Sequence, residues 1–599
     1  MSWDCGLRYM FSVSPALQQG SMCILHDKED LSRLEMVQKL AKDGCRFLQN
    51  HSKGPERTCE SDEAVRVRLR ERGYDALALR RMSSERPAPA DSSADSVVSD
   101  RYVVVSGTPE KILEHLLNDV TLDDDQGTTQ DTLLDDFLLT YPVFMSTSDL
   151  CQALPTYCTR RYRGKEERKE ALERKRKVLH LVSQWLSLCK HFLREDEHVK
   201  LFMKTLYRYV LDDLYEHPAL ETDVRELQKL YQLHLRHKAL FHQLSLKENG
   251  LQSRSTQRET KEVLCHVYIT TDSYISMKAH AGTAAQELLQ AVAERMDVPQ
   301  GELVLVAVTY PEGRLLLQPQ DRVLTDSLRP VGRLHMCRKD LGDVLNPLTD
   351  NSELQHRTAR MLSLNTWDVA VALTSFDWSI FDSVHEQELV YFTFSRRTSS
   401  NHTVALELLL QRCNEVQLWV MTEVLLCPTL CKRVQLIKKF IKIAAHCKAQ
   451  RNLSCFFAII LGLNTAAVSR LSQTWEKIPG KFKKLFSELE TVTDPSLNHK
   501  AYRDSFKKMK TPKIPFLPLL LKDITFIHEG NKTFHDNLVN FEKLHMIADT
   551  VRLIRQCQRD HMGQYSKSSC EVRAYTDHLH IIDNQQTLFE LSHRLEPRA

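Results

Sequence analysis

The distribution of apolar positions along the 599-residue chain predicts two long helical regions with a strand-rich segment between them. In the stretch KVLHLVSQWLSLC, apolar residues from Val178 to Leu188 recur at intervals of three and four, which is typical of an amphipathic helix. The stretch TPEKILEHLLND offers Thr108 as an N-cap and Pro109 at the first helical position, and so predicts a helix start. We therefore predict a helical domain over residues 101–245.

The periodicity changes between residues 262 and 340. EVLCHVYITTDSYISMKAHAG and ELVLVAVTYPEGRLLLQPQDRVL alternate apolar and polar residues in the manner of two hairpins, and TAAQELLQAVAERMDV between them has helical periodicity. This order predicts a small ubiquitin-like α+β roll. From residue 351 to residue 599 the pattern is helical again, with apolar stripes wide enough for a large core. The predicted fold class is mainly α and multidomain, with the roll between two all-helical domains.

The N-terminal 100 residues give a weaker pattern. Residues 1–82 mix short helical patterns with charge-dense strings, and we predict a partly helical segment there. Residues 83–100, SSERPAPADSSADSVVSD, are rich in Ser, Pro, Ala and Asp and poor in large apolar residues, so they predict a linker.

Composition excludes several classes of protein. A net charge of +3 gives no electrostatic reason to expect nucleic-acid binding. The 16 cysteines are scattered singly, without the spacing of a disulfide framework. We find no basic n-region followed by an apolar core, and no window of roughly 18–20 apolar residues that would span a membrane. We predict a cytoplasmic protein, with recruitment to membranes or to the nucleus by partners as an open alternative.

Motifs for cofactor chemistry are absent from the sequence. It contains no G-x-x-x-x-G-K-[ST], no G-x-G-x-x-G after a strand, no H-E-x-x-H and no G-x-S-x-G. Cys427 and Cys431 stand near His446 and Cys447 but lack paired C-x-x-C spacing, and helix-face cysteines are more often buried small hydrophobes. We predict neither a cofactor nor a metal site.

Four blocks in the last 250 residues carry a specific resemblance. SFDWSIFDSVHEQELVYFTF, RCNEVQLWVMTEVLLC, KRVQLIKKFIKIAAHCKAQRNLSCFFAIILGLNTAAVSRLSQTWEKIP and IPFLPLLLKDITFIHEGN occur in this order. They resemble the catalytic domain of Ras-type guanine nucleotide exchange factors, in the Rap-directed Epac/Repac (MR-GEF) branch. The resemblance covers about residues 100–599, so that 101–245 resembles the family's N-terminal exchanger motif, 262–340 a Ras-association domain and 351–599 the catalytic domain.

The resemblance implies a function and a partner. It implies that the chain promotes GDP release from Rap-type small GTPases and so allows GTP to load. This is catalysis of nucleotide exchange without covalent chemistry, so the chain is not an enzyme in the usual sense, and the family's activity implies no cofactor.

The resemblance also implies site residues on the body of the catalytic domain. Arg433 and Asn464 match positions that contact the switch regions of the bound GTPase. Asn452 matches a recurrent structural asparagine, and with Ser469 it is assigned to the GTPase-binding surface. Taken alone, Arg433 is better read as a solvated charge and Asn464 as a helix-end cap, and the order of the four blocks reverses this preference.

Three further residues lie on the family's protruding helical hairpin. Glu529 in HEGN matches the glutamate that reaches the phosphate and magnesium region, and before Gly530 it also suits a helix end. Thr525 stands where the best-studied Ras activators have a leucine, with Phe526 beside it. The apolar stretch Phe516 to Leu521 would anchor the hairpin, while the carboxylate competes for the phosphate-loop lysine of the GTPase and repels nucleotide phosphates.

Two other functions stay open. One is a non-catalytic scaffold that docks Ras-family GTPases, which the Thr525 departure favours. The other is an effector that binds GTP-loaded Ras relatives through a basic edge of the roll formed by Lys278, Arg295, Arg314 and Arg322. The string VRVRLRERGYDALALRRM resembles the piece that follows the cyclic-nucleotide domain of the Epac relatives, but no glycine-rich phosphate cassette is present, and we expect no cAMP binding.

Overall fold

A computed structural model of the protein describes residues 66–71, 74–82, 101–119, 129–159, 167–189, 193, 197–214, 220–222, 224–225, 227–229, 262–270, 272–280, 282–296, 299–309, 313–322, 333–338, 360–394, 403–561 and 569–597. Residues 1–65 and the predicted linker 83–100 lie outside the described residues. The chain is mainly α and multidomain, as predicted from the periodicity.

Three strands that the sequence did not predict precede the first described helix. They are β1 (Arg66–Glu71), β2 (Tyr74–Met82) and β3 (Arg101–Gly107), which pair antiparallel in that order. The prediction that helical structure begins at Arg101 is therefore wrong, because it begins at Pro109. The alternation of arginine with Val67 and Leu69 in β1 is a period of two, which its charge density obscured.

The N-terminal helical domain is built on a single apolar core. Its helices are α1 (Pro109–Asp119), α2 (Thr129–Thr140), α3 (Thr147–Thr159), α4 (Glu167–Leu188) and α5 (Glu197–Leu214). The backbone amide of Lys111 donates to Thr108 Oγ1 at the start of α1, as the predicted N-cap requires. Trp185 and Phe137 have no exposed surface and lie at the centre of this core.

The roll has the predicted order and one additional strand. It comprises β4 (Glu262–Tyr268), β5 (Ser273–His280), α6 (Ala285–Met296), β6 (Leu303–Thr309), β7 (Gly313–Leu316) and β8 (Arg333–Arg338). In the sheet, β8 lies between β4 and β6 and runs parallel to β4. Strand β7 lies at one edge, and the other edge of the roll, β5, is extended by a strand from the C-terminal domain.

The C-terminal helical domain carries the largest core. Its elements are α7 (Thr366–Phe381), α8 (Glu386–Phe394), α9 (Val404–Leu425), α10 (Leu430–Ala449), α11 (Leu453–Asn464), α12 (Ala466–Ser469), α13 (Ser472–Glu476), α14 (Gly480–Thr493), α15 (Ser496–Lys508), α16 (Leu517–Gly530), β9 (Phe534–His535), β10 (Leu538–Asn540), α17 (Phe541–Val551), α18 (Leu553–Gln558), α19 (Cys570–Asp577), β11 (Leu579–Ile582) and α20 (Gln585–Leu595).

Two central helices of this domain approach closely at a glycine. A Cβ atom on Gly462 of α11 would lie 2.8 Å from the carbonyl oxygen of Gln417 in α9. Glycine is therefore required for this distance between the helices. None of the described helices combines the length and the apolar character that crossing a membrane would take.

Two strands join the domains. Val539 of β10 pairs with Gly107 of β3, which makes one five-stranded sheet from the N-terminal strands and the C-terminal hairpin of β9 and β10. Strand β11 pairs antiparallel with β5, with Ile581 opposite Tyr274. Both pairings position the C-terminal helical domain against the rest of the chain.

Candidate functional site

The predicted hairpin consists of α15 and α16, and its connecting segment is fixed in the core. The amide of Ile514 donates to the carbonyl of Arg451 at 2.9 Å, and the amide of Leu453 donates to the carbonyl of Ile514 at 2.9 Å. Phe516 then stacks on Phe457 with 4.2 Å between ring centroids. The apolar stretch from Phe516 to Leu521 is buried throughout, so this end of the hairpin is a rigid root.

An ion pair joins the two helices halfway along. Arg503 of α15 donates to both carboxylate oxygens of Asp523 of α16, each at 2.8 Å. A bidentate pair of this kind restricts both separation and rotation of the helices. Neither residue has a role predictable from the sequence, because a single Arg and a single Asp twenty positions apart carry no periodic signal.

The distal half of α16 has one half-buried face. Lys522, Thr525, Phe526 and Glu529 follow one another at the spacing of a single helix face and are all partly exposed, whereas Ile524 and Ile527 are buried. The hydroxyl of Thr525 donates to the carbonyl of Leu521 at 2.8 Å, within the same helix. The structure therefore places Thr525, Phe526 and Glu529 together on one partly exposed face.

Asn452 lies at the root and not on a surface. Its side chain is completely buried, accepts from the amide of Cys455 at 3.0 Å and donates to Asp377 Oδ2 at 2.7 Å. Burial raises the pKa of Asp377 to about 6, against the opposing effect of Arg412. A side chain without exposed surface does not contact a partner, so Asn452 supports the root through the 451–453 segment and does not fit its assignment to the GTPase-binding surface.

Arg433 is also inside the domain. It is 2% exposed, and its guanidinium donates to Thr474 Oγ1 at 2.9 Å and to the carbonyl of Cys427 at 2.9 Å. It also pairs with Glu596 at 3.4 Å, where the two side chains are 3% and 5% exposed. In this arrangement Arg433 holds α13 and the end of α9 in place and does not itself form surface, contrary to the expected switch contact.

Asn464 and Ser469 form the exposed part of the same region. Asn464, at the end of α11, is half-buried, and Ser469, at the end of α12, is exposed. The next residue, Arg470, donates to the carbonyls of Ser592 and Glu596 at 2.9 and 2.8 Å. Glu596 thus connects the loop that presents Ser469 with the buried Arg433.

The four basic residues predicted for the roll do not form one edge. Arg295 is 4% exposed, and its guanidinium lies 4.1 Å from the ring centroid of Tyr575 and 3.6 Å from Glu423, both in the C-terminal domain. Lys278 donates to Ser379 of that domain at 3.4 Å. The prediction for these two residues is wrong, because both side chains contact the C-terminal domain.

The remaining two residues lie away from β5. Arg322 is exposed in the loop after β7, and Arg314 belongs to β7, the opposite edge of the sheet, although its side chain lies outside the described residues. The edge of β5 is occupied by β11, and Glu415 of α9 seals this contact by accepting from Ser276 Oγ at 2.5 Å. Ser276 is therefore fixed against the C-terminal domain.

The N-terminal domain supports α17, which follows the hairpin. Arg552 donates to Asp135 of α2 at 2.7 Å and pairs with Asp136, and His545 also contacts Asp136. Asp136, His545 and Asp549 are spaced like metal ligands, but the guanidinium of Arg552 pairs with both carboxylates. This cluster joins the two domains by charge pairs.

The comparisons with known proteins agree with this architecture. The model of the RasGEF domain matches residues 368–545, from α7 to α17, and the model of the RasGEF N-terminal motif matches residues 103–206, from β3 to α5. The chain thus has the two domains of a Ras-type guanine nucleotide exchange factor.

Similar proteins narrow the class to one family. The chain is 60% identical over 600 residues to Rap guanine nucleotide exchange factor 5 of Mus musculus, covering 98% of this chain and 74% of the relative. It is 63% identical over 530 residues to the Homo sapiens protein of that name, covering 86% and 91%. Rap guanine nucleotide exchange factor 3 of Homo sapiens is 34% identical over 97% of this chain and 68% of its own length. The chain belongs to the Rap guanine nucleotide exchange factor family.

Proposed function

We propose that the chain accelerates GDP release from Rap-type small GTPases by inserting the distal half of α16 at the nucleotide site. The observation that carries this proposal is the half-buried face of Thr525, Phe526 and Glu529 on a helix whose other face is rooted in the core. Membership of the family supports the activity, and the names of the relatives support Rap as the substrate.

The proposed mechanism needs no proton transfer or covalent step. The Glu529 carboxylate interacts with the positive groups that hold the nucleotide phosphates and repels the phosphates themselves. Phe526 lies three residues before Glu529, on the same face of α16, and contributes an apolar contact. Asn464 and Ser469 extend the binding surface on the body of the domain, while Arg433 and Asn452 maintain its shape from inside.

The test is release of fluorescent GDP from purified Rap in the presence of the full chain. We expect acceleration over intrinsic release, a loss of rate in Glu529→Gln and Phe526→Ala, and an unchanged rate in Glu490→Gln, which makes the same charge change on an exposed position of α14. No acceleration by the unmodified chain would refute the activity. A complex with Rap that GTP fails to dissociate would favour the non-catalytic scaffold.

Effector binding at the roll has less support. A GTP-loaded Ras relative that adds a strand to β5 would have to displace β11, and Lys278 and Arg295 are engaged with the C-terminal domain. Capture of GTP-loaded in preference to GDP-loaded Ras relatives by the full chain tests this alternative, and equal capture would count against it.

A further inference from the structure

The helix that carries Glu529 ends without the usual glycine cap. The residue after α16, Asn531, has φ −132° and ψ 137°, so the chain leaves the helix in extended conformation and not through a left-handed turn. The last carbonyls of a helix then need other donors. Asn531 supplies one, since its side-chain amide donates to the carbonyl of Ile527 at 3.0 Å.

A buried lysine supplies the others. Lys543 of α17 is 1% exposed, and its ammonium lies 2.9 Å from the carbonyl oxygen of His528, 2.8 Å from that of Asn531 and 2.9 Å from Thr533 Oγ1. The same nitrogen is 2.9 Å from Nδ1 of His528. Its three hydrogens therefore have acceptors in one short segment, residues 528–533, of which Glu529 is the second residue.

The energetics favour this position for a cation. A buried ammonium costs several kcal/mol unless its hydrogens are all bonded, and here they are. Carbonyls at the C-terminal end of a helix carry partial negative charge, so a cation is favoured there by the helix dipole as well. An apolar residue of the same length would fill the space but leave the carbonyls of His528 and Asn531 without this donor.

The lysine comes from a fixed support. Helix α17 starts at Phe541, which is 1% exposed, and its N-cap, Asn540, accepts from the amide of Lys543 at 3.2 Å. The strand before it pairs with β3, and the helix is joined to α2 through Arg552 and Asp135. Lys543 therefore attaches the C-terminal end of α16 to the body of the molecule. This end is the one opposite the root.

We infer that Lys543 is a positioning residue for exchange: it holds the end of α16 so that Glu529 keeps one direction. His528, the neighbour of Glu529, is bonded by Lys543 at its carbonyl and contacts the ring of Phe394 at a centroid distance of 4.4 Å. With the residue before Glu529 fixed on two sides, the Cα–Cβ bond of Glu529 is held in one direction. This inference rests on the proposed function of Glu529.

The test compares Lys543→Met with Lys532→Met in the full chain. Both changes remove one positive charge from the end of the hairpin, but Lys532 is exposed. Release of fluorescent GDP from Rap is measured over a range of Rap concentrations. We expect Lys543→Met to lower kcat roughly 10- to 100-fold, as small misplacements of a reacting group do, with little change in KM. Lys532→Met should keep the rate of the unmodified chain.

A double-variant cycle tests that Lys543 acts through Glu529. In the Glu529→Gln background, Lys543→Met should lower the rate no further, since a group that is already removed cannot be misplaced. Amide hydrogen exchange at residues 528–533 should become faster in Lys543→Met, a result that does not depend on activity. Thr533→Val, which removes a single acceptor, provides a milder variant with a smaller effect in the same direction.

The outcomes separate the two proposals. If the unmodified chain accelerates release and Lys543→Met does so equally, the inference is overturned while the proposed function stands. Equal losses in Lys543→Met and Lys532→Met, or additive losses in the cycle, also overturn it, because charge or general destabilisation would then explain the effect. An inactive unmodified chain removes the proposed function and the inference with it.

Discussion

Replacement of Arg433 by methionine should destabilise the C-terminal helical domain. Any loss of contact with a GTPase should follow only from that destabilisation. Methionine keeps the length of the side chain and removes its donors. The guanidinium now donates to Thr474 Oγ1, to the carbonyls of Cys427 and Pro428 and to Glu596. All of these acceptors would lose a charged donor at once.

The size of the effect follows from the burial of the pair. The side chains of Arg433 and Glu596 are 3% and 5% exposed, so solvent does not replace the lost partner. Removing one member of a buried ion pair costs about 3–5 kcal/mol. For a domain of this size each kcal/mol lowers the midpoint of thermal unfolding by roughly 2–4 °C. We therefore expect a decrease on the order of 10 °C.

Thermal unfolding of the full chain, followed by tryptophan fluorescence, measures this decrease. Trp475, whose indole donates to the carbonyl of Val468 at 3.1 Å, reports on the region next to Glu596. Asn464→Ala is the control, since a half-buried polar residue at a helix end changes stability by only about 0.5 kcal/mol.

The double variant Arg433→Met with Glu596→Gln separates the pair from simple loss of packing. Removing the stranded carboxylate charge should recover about half of the lost stability. The reasoning would be refuted if Arg433→Met unfolded at the midpoint of the unmodified chain and lost only affinity for Rap. That result would make Arg433 a direct contact residue.

Three further predictions concern the support of the site. Burial raises the pKa of Asp377 from 3.8 to about 6, so its ionised form opposes folding. The free energy of unfolding should therefore fall by about 3 kcal/mol as pH rises from about 4 to about 6. Asp377→Asn should remove this part of the pH dependence, which urea unfolding at several pH values measures. Arg503→Met breaks the bidentate pair with Asp523 and should lower the exchange rate at a cost of about 1–3 kcal/mol in stability, whereas the exposed Lys507→Met should change neither. Arg295→Met leaves the buried Glu423 carboxylate without its charged partner and should speed amide hydrogen exchange in β5 and β11. Unaltered exchange would contradict this prediction.

The sequence predicted the elements whose residues are close along the chain. Helical periodicity located the two helical domains, and alternation located both hairpins of the roll. Strands β1 and β2, which pair with each other, were missed because charged residues obscure their alternation, whereas the outer partner of β3 is β10, so that Gly107 and Val539 pair across most of the chain. No local pattern reports such a pairing. The hydrogen bonds of β5 to β11 were missed for the same reason.

The site residues were predicted less evenly. Thr525, Phe526 and Glu529 follow a buried apolar run at helical spacing, so their common face could be read from the sequence. The burial of Arg433, Asn452 and Arg295 could not, because a polar side chain is buried only where distant segments supply its partners. A single sequence does not identify which distant residues are the hydrogen-bond partners of a charged residue.

Four cations among the described residues share one physical role, which is to bond carbonyls near the ends of helices. The sequence has only 18 glycines among 599 residues, against about 7% in average proteins, so glycine caps at helix ends are scarce. Long cations from neighbouring segments bond carbonyls in the last turn of a helix or just after it: Lys513 in α15, Lys543 in α16, Arg433 after α9 and Arg470 after α20. A glycine cap satisfies carbonyls within one segment, whereas a cation that arrives from another helix also fixes the two segments to each other. Under the proposed function, in which a rigid surface is presented to a GTPase, the second kind of cap reduces the ordering that binding would otherwise require. The cations nearest to the binding surface are then expected to be structural, and their replacement should loosen that surface without removing any atom that touches the partner.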